Sequence, residues 1–404
     1  MALAGSAGVT ARHPEIGVVA MVPDEWGPLW QPRHHVISRL AERFPVIWMS
    51  PAPGWRQAAR ARFRAPAPDP VPVADLEIDT SGWRLPRVYH PRWLGEFLFR
   101  WRLRRAAARL RRRGCHHLIL YLWRPVWRRA IAACPWSAVV YHVDDEYTFA
   151  PVGLDQDPEE VNPEEVALLR EADLVCLHSE RLWTRKGPLA RRALRTPNGV
   201  DYARFSTPAP EPGELARVPR PRLGYVGWLK QQLDWALLEE LAHRHPEWSW
   251  VLLGPVKPDP DLVAVIERIG RLPNVHLFPA QPARQLAAWV QHLDVALLPY
   301  IADDYTQYIY PMKLHEYLAA GRPVVATPIP ALERHRDIIS LATGVEEWSE
   351  ALRDVLGAGA LDPEEVARRR RVARAHDWGA IVETIAGAIR DLCPSETPAS
   401  RIPG

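Results

Sequence analysis

The chain is poor in lysine, cysteine and methionine, and it has no long apolar run. Only four lysines occur (Lys186, Lys230, Lys257 and Lys313), so nearly all of its 51 Lys and Arg residues are arginine. The four cysteines (Cys115, Cys134, Cys176 and Cys393) lie far apart, with no C-x-x-C and no short Cys/His spacing. That excludes a disulfide framework and a structural zinc site. No stretch of 18 apolar residues appears, and the N-terminus has no basic segment followed by an apolar one. We therefore expect a cytoplasmic protein, neither exported nor integral to a membrane. Neither G-x-G-x-x-G nor a P-loop occurs, so dinucleotide binding and NTP hydrolysis lose their main support. What is present is globular: 47% apolar and 25% charged residues over 404 positions, a length that suits two domains.

Strand-like apolar runs alternate with helical patterns throughout, an order that favours parallel α/β sheets. In the first half the runs are 16–21, 46–49, 117–122, 138–142 and 174–178, with helices expected over 32–43, 94–113 and 163–172. The Pro- and Arg-rich section 52–91 reads as an insertion with a short hairpin. A second Pro-rich stretch, 206–221, has no periodicity and reads as a linker. After it the alternation restarts as RLGYVG, WSWVLLG, NVHLF, DVALLPY and RPVVATP. The expected division is two Rossmann-like domains, 1–205 and 222–376, joined by 206–221. A final helix and tail, 377–404, is expected to pack back on the first domain.

Ligands of open parallel sheets bind beyond the carboxyl ends of the strands, so the loops there hold the candidates. After DVALLPY the chain reaches Pro311, suited to the first position of a helix whose free N–H groups and dipole attract phosphate. Glu316 lies just over one turn further on, placed to accept hydrogen bonds from a diol. The run AVVYHV ends in Asp144, Asp145 and Glu146, whose repulsion is expected to raise at least one pKa, as a general base requires. In the first loop, VPDEWGPLWQPRHH, Gly27 allows close backbone approach and Trp26 and Trp30 suit stacking on a sugar ring, plain packing being the alternative. Arg33, His34 and His35 open the helix that follows.

The segments PMKLHEYLAAGRPVVATPIP, TPNGVDYARF, ADLVCLHSERL and LGYVGWLKQQLDWALLEELA together resemble the nucleotide-sugar glycosyltransferases of family 4 and related bacterial polysaccharide-synthesis transferases, most strongly between Leu174 and Pro330, where several motifs stand in the family's order and spacing. The resemblance runs from about Ile16 to Leu392 and implies the GT-B fold, two doubly wound Rossmann-like domains facing a central cleft. It implies an acceptor-side first domain and a second domain that binds a nucleoside diphosphate sugar. Glu316 then contacts the donor ribose, and Gly227 and Lys230 serve the diphosphate. Tyr310, Pro311, Met312 and Lys313 join the donor-binding set. The family's further Glu, eight residues earlier, is here Tyr308, and the nearby DDYTQ stretch is the substitute we expect. Gly27, approaching the donor phosphate, and Tyr308 complete the donor-binding set, while Trp26, Trp30, Arg33, His34, Ser179 and Asn198 are expected on the acceptor side or lining the cleft. The reaction implied is sugar transfer to a hydroxyl of a glycan, lipid-linked or small-molecule acceptor, with retention at the anomeric carbon. Should it invert, Asp144 or Asp145 is the expected base.

No cofactor or metal is expected. Two D-x-D matches, Asp155-Gln156-Asp157 and Asp259-Pro260-Asp261, fall in Pro-rich polar loops and read as chance. A nucleotide-sugar epimerase of the same fold is the enzymatic rival. The segment 84–129 carries fourteen arginines against one acid, Glu96, which raises a nucleic-acid-binding or scaffold alternative. It lacks a nucleic-acid motif, and we expect no nucleic-acid partner. Within 94–113, Phe99, Leu103, Ala106 and Leu110 share one helical face beside Arg100, Arg104 and Arg111. Such a helix suits peripheral attachment to an anionic membrane surface, or its apolar face packs on the sheet.

Overall fold

The computed structural model describes residues 12–27, 29–54, 73, 75–84, 88, 90–147, 162–357 and 361–393. They build two parallel sheets. The first contains β1 (Ile16–Met21), β2 (Val46–Met49), β3 (Leu76–Ile78), β4 (His117–Leu122), β5 (Ala138–Val143), β6 (Leu174–Leu177) and β7 (Ala193–Arg195). The second contains β8 (Arg222–Val226), β9 (Ser249–Leu253), β10 (Val275–Phe278), β11 (Val295–Leu298), β12 (Val324–Ala326) and β13 (Ser340–Leu341). Their spatial orders are β3-β2-β1-β4-β5-β6-β7 and β10-β9-β8-β11-β12-β13. In each sheet the winding reverses beside the first strand, between β1 and β4 and between β8 and β11. That switch point is where a doubly wound sheet opens a crevice beyond its carboxyl ends.

Continuous apolar runs form these strands because both faces of a parallel sheet are covered by helices. β1, β2 and β5 are buried at every residue, as are β8, β9 and β11. The helices that matter below are α1 (Pro32–Leu40), α2 (Arg92–Arg112), α3 (Pro163–Glu171), α4 (Trp235–Arg244), α5 (Pro260–Ile269), α6 (Met312–Ala319) and α7 (Trp378–Asp391). Proline stands in the first turn of α1, α3 and α5, where its missing N–H costs nothing. Asp234 and Asp259 cap α4 and α5 by accepting from Leu237 and Leu262 N–H, both at 2.9 Å. Asp259, half of one D-x-D match, is thus a helix cap, while Asp155 and Asp157 lie outside the described residues.

The chain divides into two compact units. One is Met1–Leu177, Arg185–Arg195 and Val382–Gly404; the other is His178–Thr184 and Thr196–Ile381. The stretch 206–221 belongs to the second unit: Leu215 and Val218 are in its core, and Ala209 N–H donates to Gln291 at 2.8 Å. Apolar residues spaced between prolines anchor it despite the lack of periodicity. Helix α7 begins in the second unit and ends in the first, where Glu383 accepts from Arg43 at 2.6 Å. No hairpin is seen in the described part of 52–91. Its strand β3 pairs parallel with β2, with Trp48 opposite Ile78.

Part of the basic excess of 84–129 is matched by acids that are distant in sequence. Arg102 pairs with Asp79 at 2.9 Å, Arg109 with Glu77 at 3.1 Å, Arg113 with Asp75 at 2.9 Å, and Arg128 with Glu164 and Glu171 at 3.0 and 2.7 Å. Helix α2 packs its apolar face on the sheet, with Leu103, Ala106 and Leu110 fully buried. Burying that face removes it from any membrane contact, which leaves only the helix's other surfaces for one.

Candidate active site

In the second unit the two loops at the switch point meet. β8 ends at Val226, and Gly227 follows with a φ of +156°. Its neighbour across the sheet, Gly254, has a φ of +149°, and a Cβ there would stand 1.9 Å from the Gly227 carbonyl oxygen. Two glycines therefore let the ends of β8 and β9 pass at backbone contact. A Cβ on Gly227 would also lie 1.8 Å from Lys313 Cε and 2.5 Å from its Nζ. The space that glycine leaves is filled by Lys313, the second residue of α6, so the chain brings a cation from a site 86 residues away onto this turn.

Helix α6 starts one residue later than expected: Pro311 is its cap, with extended backbone, and Met312 is the first helical residue. The amide groups of its first turn remain the anion-attracting end of the helix. Glu316 is 4% exposed, and its Oε2 is buried with no hydrogen-bond partner. Lys313 Nζ stands 3.8 Å from that oxygen. Burial pushes the Glu316 carboxyl above the usual range, with Lys313 and Arg204 opposing the shift. The buried acceptor can take hydrogen bonds from ligand hydroxyls, while the lysine and the helix start beside it can stabilise a phosphate.

Tyr317 fastens this arrangement, because its hydroxyl accepts from Val226 N–H at 2.9 Å and joins α6 to the last residue of β8. Asn198 supports the other side by donating to the Tyr310 carbonyl at 2.7 Å, just before the helix cap. Nothing in the sequence marked these two ties, since each joins residues more than ninety positions apart. Tyr310 donates or accepts with His315 Nε2 at 2.8 Å, and burial holds His315 well below the usual imidazole value, so it is neutral.

The remaining donor-side candidates are placed as follows. Lys230 lies at the end of the β8 loop with its ammonium 5.9 Å from the Tyr300 ring. Arg322 precedes β12 and so sits at the amino end of the sheet, where it donates to the Leu293 carbonyl at 3.0 Å. The second cation at the Gly227 turn is Lys313. Tyr308 is buried in a short turn at Thr306–Tyr308, and Asp303 of the DDYTQ stretch caps that turn by accepting from Thr306 and Tyr305 N–H at 2.7 and 3.0 Å. Ser179 lines a cavity of about 280 Å³ with Gln307, Tyr310 and Arg334.

In the first unit Asp144, the first of the acids after β5, behaves opposite to expectation. Asp144 accepts from Arg33 at 2.5 Å and from Tyr147, and Arg124 stands 3.8 Å away. Burial alone would raise its carboxyl, but the Arg33 and Arg124 guanidiniums overcome that and hold it below the usual range. Glu146 pairs with buried Lys186 at 3.0 Å. Repulsion between the acids is therefore answered by cations from other elements, and Asp144 is an anchored anion instead of a base with a raised pKa.

Arg33 also pairs with Asp24, which ties the first loop to β5. Trp26 packs edge-on against Trp48 at 5.0 Å and lies 5.7 Å from Trp30, while Trp30 meets His35 at 5.0 Å. The two tryptophans thus form a packed aromatic group. Burial lowers His34 to about 4, and its Nδ1 accepts from Gln31 N–H at 3.2 Å. A Cβ on Gly27 would meet no protein atom within 4 Å.

Two sheets of this winding order, with a helix-borne Glu at the switch point of the second, define the GT-B class of α/β glycosyltransferases. Residues 220–358 match the family described as glycosyl transferases group 1, so the second unit carries a glycosyltransferase domain of that family. The chain is 28% identical over 266 residues to the putative teichuronic acid biosynthesis glycosyltransferase TuaH of Bacillus subtilis strain 168, covering 62% of this chain and 66%, just under two thirds, of that protein. Its fold is similar to that of sucrose-phosphate synthase from Thermosynechococcus elongatus, with a TM-score of 0.68 at 16% identity over 93% of this chain and 98% of the other. It is also similar to Anabaena Alr3699/HepE in complex with UDP and glucose, with a TM-score of 0.60 at 14% identity over 94% and 100% of the two chains.

Proposed function

We propose that this glycosyltransferase moves a sugar from a nucleoside diphosphate sugar to a hydroxyl acceptor, with retention and without a metal. The observation that carries the reading is the buried Glu316 carboxyl, whose Oε2 accepts no hydrogen bond, beside Lys313 on the Gly227 turn. In this reading Glu316 accepts from the ribose diol. The start of α6, Lys313 and Lys230 meet the charge that develops on the leaving diphosphate, the role a metal would otherwise fill. With retention, a diphosphate oxygen takes the acceptor proton as the new glycosidic bond forms and the sugar–phosphate bond breaks. The likeness to a protein solved with UDP and glucose, and to a putative teichuronic acid transferase, supports a nucleotide-sugar donor and a glycan product. Attachment to an anionic membrane belongs to the same reading, through Arg105, Arg111 and Arg112, which have no acidic partner among the described residues. Among the described residues, no helix is long and apolar enough to cross a membrane.

A thermal-shift panel of UDP, GDP, dTDP and their sugars, with and without EDTA, tests the donor assignment. One nucleotide should raise the melting temperature, because it binds only the folded state. No response to any nucleotide would sink the reading, and a response abolished by EDTA would sink its metal-free part. Incubation with donor alone separates a transferase from an epimerase, since only the latter consumes donor without acceptor.

A further inference from the structure

The first unit holds its own cavity, of about 630 Å³, within the range of small-molecule sites at roughly 300 to 1,000 Å³. Met21 and Met49, the last residues of β1 and β2, line it, so it lies at the carboxyl edge of the sheet. Helix α2 adds Leu98 and Phe99, and the turn after β4 adds Val126 and Trp127. Three arginines also line it. Arg102 is committed to Asp79 and to the Ser50 carbonyl at 3.0 Å. Arg129 lies over the Phe99 ring at 4.4 Å and pairs with Glu96 at 3.3 Å, half-exposed. Arg92 is exposed and has no acidic partner among the described residues.

Val126, which lines the cavity, is 66% exposed. Trp93 and Phe97, one helical turn apart on α2, are 69% and 58% exposed and stand on a different face of the helix from the lining residues Gly95, Phe99 and Arg102. An apolar lining that opens at an exposed apolar side chain favours an apolar occupant. The arginines of the lining call for a partner that is also anionic, and phosphate suits an arginine fork. A flat membrane surface needs only the exposed Trp93 and Phe97. The concave lining of Met21, Met49, Leu98 and Phe99 is what a single inserted chain would cover.

We propose that this cavity takes the hydrocarbon chain of a phosphate-bearing lipid, with the phosphate held by Arg92 and Arg129, and that this lipid carries the acceptor hydroxyl. Only the last clause rests on the transferase reading.

The test is calorimetric titration of the full chain with farnesyl phosphate kept below its aggregation threshold, beside farnesol, inorganic phosphate and phosphatidylglycerol vesicles. Farnesyl phosphate should bind, and both single-feature controls should bind at least about tenfold more weakly. Val126→Glu and Arg92→Glu should each weaken farnesyl phosphate by a similar factor while the nucleotide-induced melting shift stays unchanged. Both positions are exposed, so the folded state should survive either change, and a melting curve checks this. Equal affinity in wild type and both variants would overturn the cavity. So would binding to the vesicles with none to monomeric farnesyl phosphate, which would assign the exposed Trp93 and Phe97 to the bilayer and leave the cavity without its ligand. Loss of every nucleotide response with farnesyl phosphate binding intact would instead remove the transferase reading and leave the cavity standing.

Discussion

Each unit places a largely buried carboxylate beyond the carboxyl ends of its sheet, and the two have opposite surroundings. Asp144 in the first unit is met by Arg33, Arg124 and Tyr147, and its pKa is lowered. Glu316 in the second has one oxygen without a hydrogen bond and a lysine at 3.8 Å, and its pKa is raised. A satisfied buried charge contributes to holding the fold together, whereas an unsatisfied one costs stability unless a ligand completes it. The difference teaches that burial alone does not identify a reactive acid; the partners decide. Of these two carboxylates, Glu316 is the one with unspent hydrogen-bonding capacity.

The sharpest way to break this comparison is Asp144→Asn. Removing the charge takes one of two carboxylate partners from buried Arg33 and the acid that faces half-buried Arg124, so we expect a loss of about 3 kcal/mol, the low end for a broken buried pair, at neutral pH in denaturant unfolding. Because the folded pKa lies below the unfolded one, the stabilisation is present above the unfolded carboxyl value and is lost as pH falls through the folded one. The gap between variant and wild type should therefore close in acid. A variant as stable as wild type at neutral pH would show that Asp144 is not an anchor.

Lys313→Ala and Lys230→Ala test the other half. Each should lower kcat/KM by about 10², near 3 kcal/mol of transition-state stabilisation, with little change in the melting temperature without ligand. Steady-state kinetics would show which lysine serves the diphosphate. If Lys313→Ala were fully active, the cation on the Gly227 turn would have no catalytic part.

Glu316→Gln should weaken nucleotide binding by roughly tenfold or more, as for one charge-assisted hydrogen bond of about 1.5 to 3 kcal/mol. Its sign on stability is opposite to that of Asp144→Asn. A carboxyl with a raised folded pKa destabilises the protein as pH rises past the unfolded value, so the neutral variant should melt no lower than wild type at pH 7. In wild type, nucleotide affinity should rise with pH through that raised pKa. Unchanged nucleotide affinity in Glu316→Gln would remove the ribose assignment. The smallest effect is expected from Tyr317→Phe, which leaves Val226 N–H without its partner at a cost of about 1 to 3 kcal/mol in stability and loosens the seat of Glu316. Calorimetric unfolding with a nucleotide titration on the same sample would separate the two consequences.

Much of the fold was legible because a strand buried on both faces is a continuous apolar run. The runs 16–21, 46–49 and 117–122 coincide with β1, β2 and β4. Where proline interrupts the pattern the reading failed, as at 206–221, whose Leu215 and Val218 are core residues with no period to announce them. Glu316 was legible from its distance to a proline at a helix start, even though Pro311 proved to be the cap. The acids after β5 were misread because their cations come from distant positions, Arg33 lying 111 residues from Asp144.

By itself the sequence determined the alternation of strands and helices, the two-sheet plan and the helix that bears Glu316, because these depend on local periodicity and on residues within one or two turns. The tertiary structure alone decided which charges are answered. Lys313 reaches the Gly227 turn, Tyr317 holds the end of β8, and Arg33 and Arg124 neutralise Asp144 because chain crossovers bring them within a few ångströms. Electrostatic and hydrogen-bond energies fall steeply over that distance, and separation along the chain does not report it.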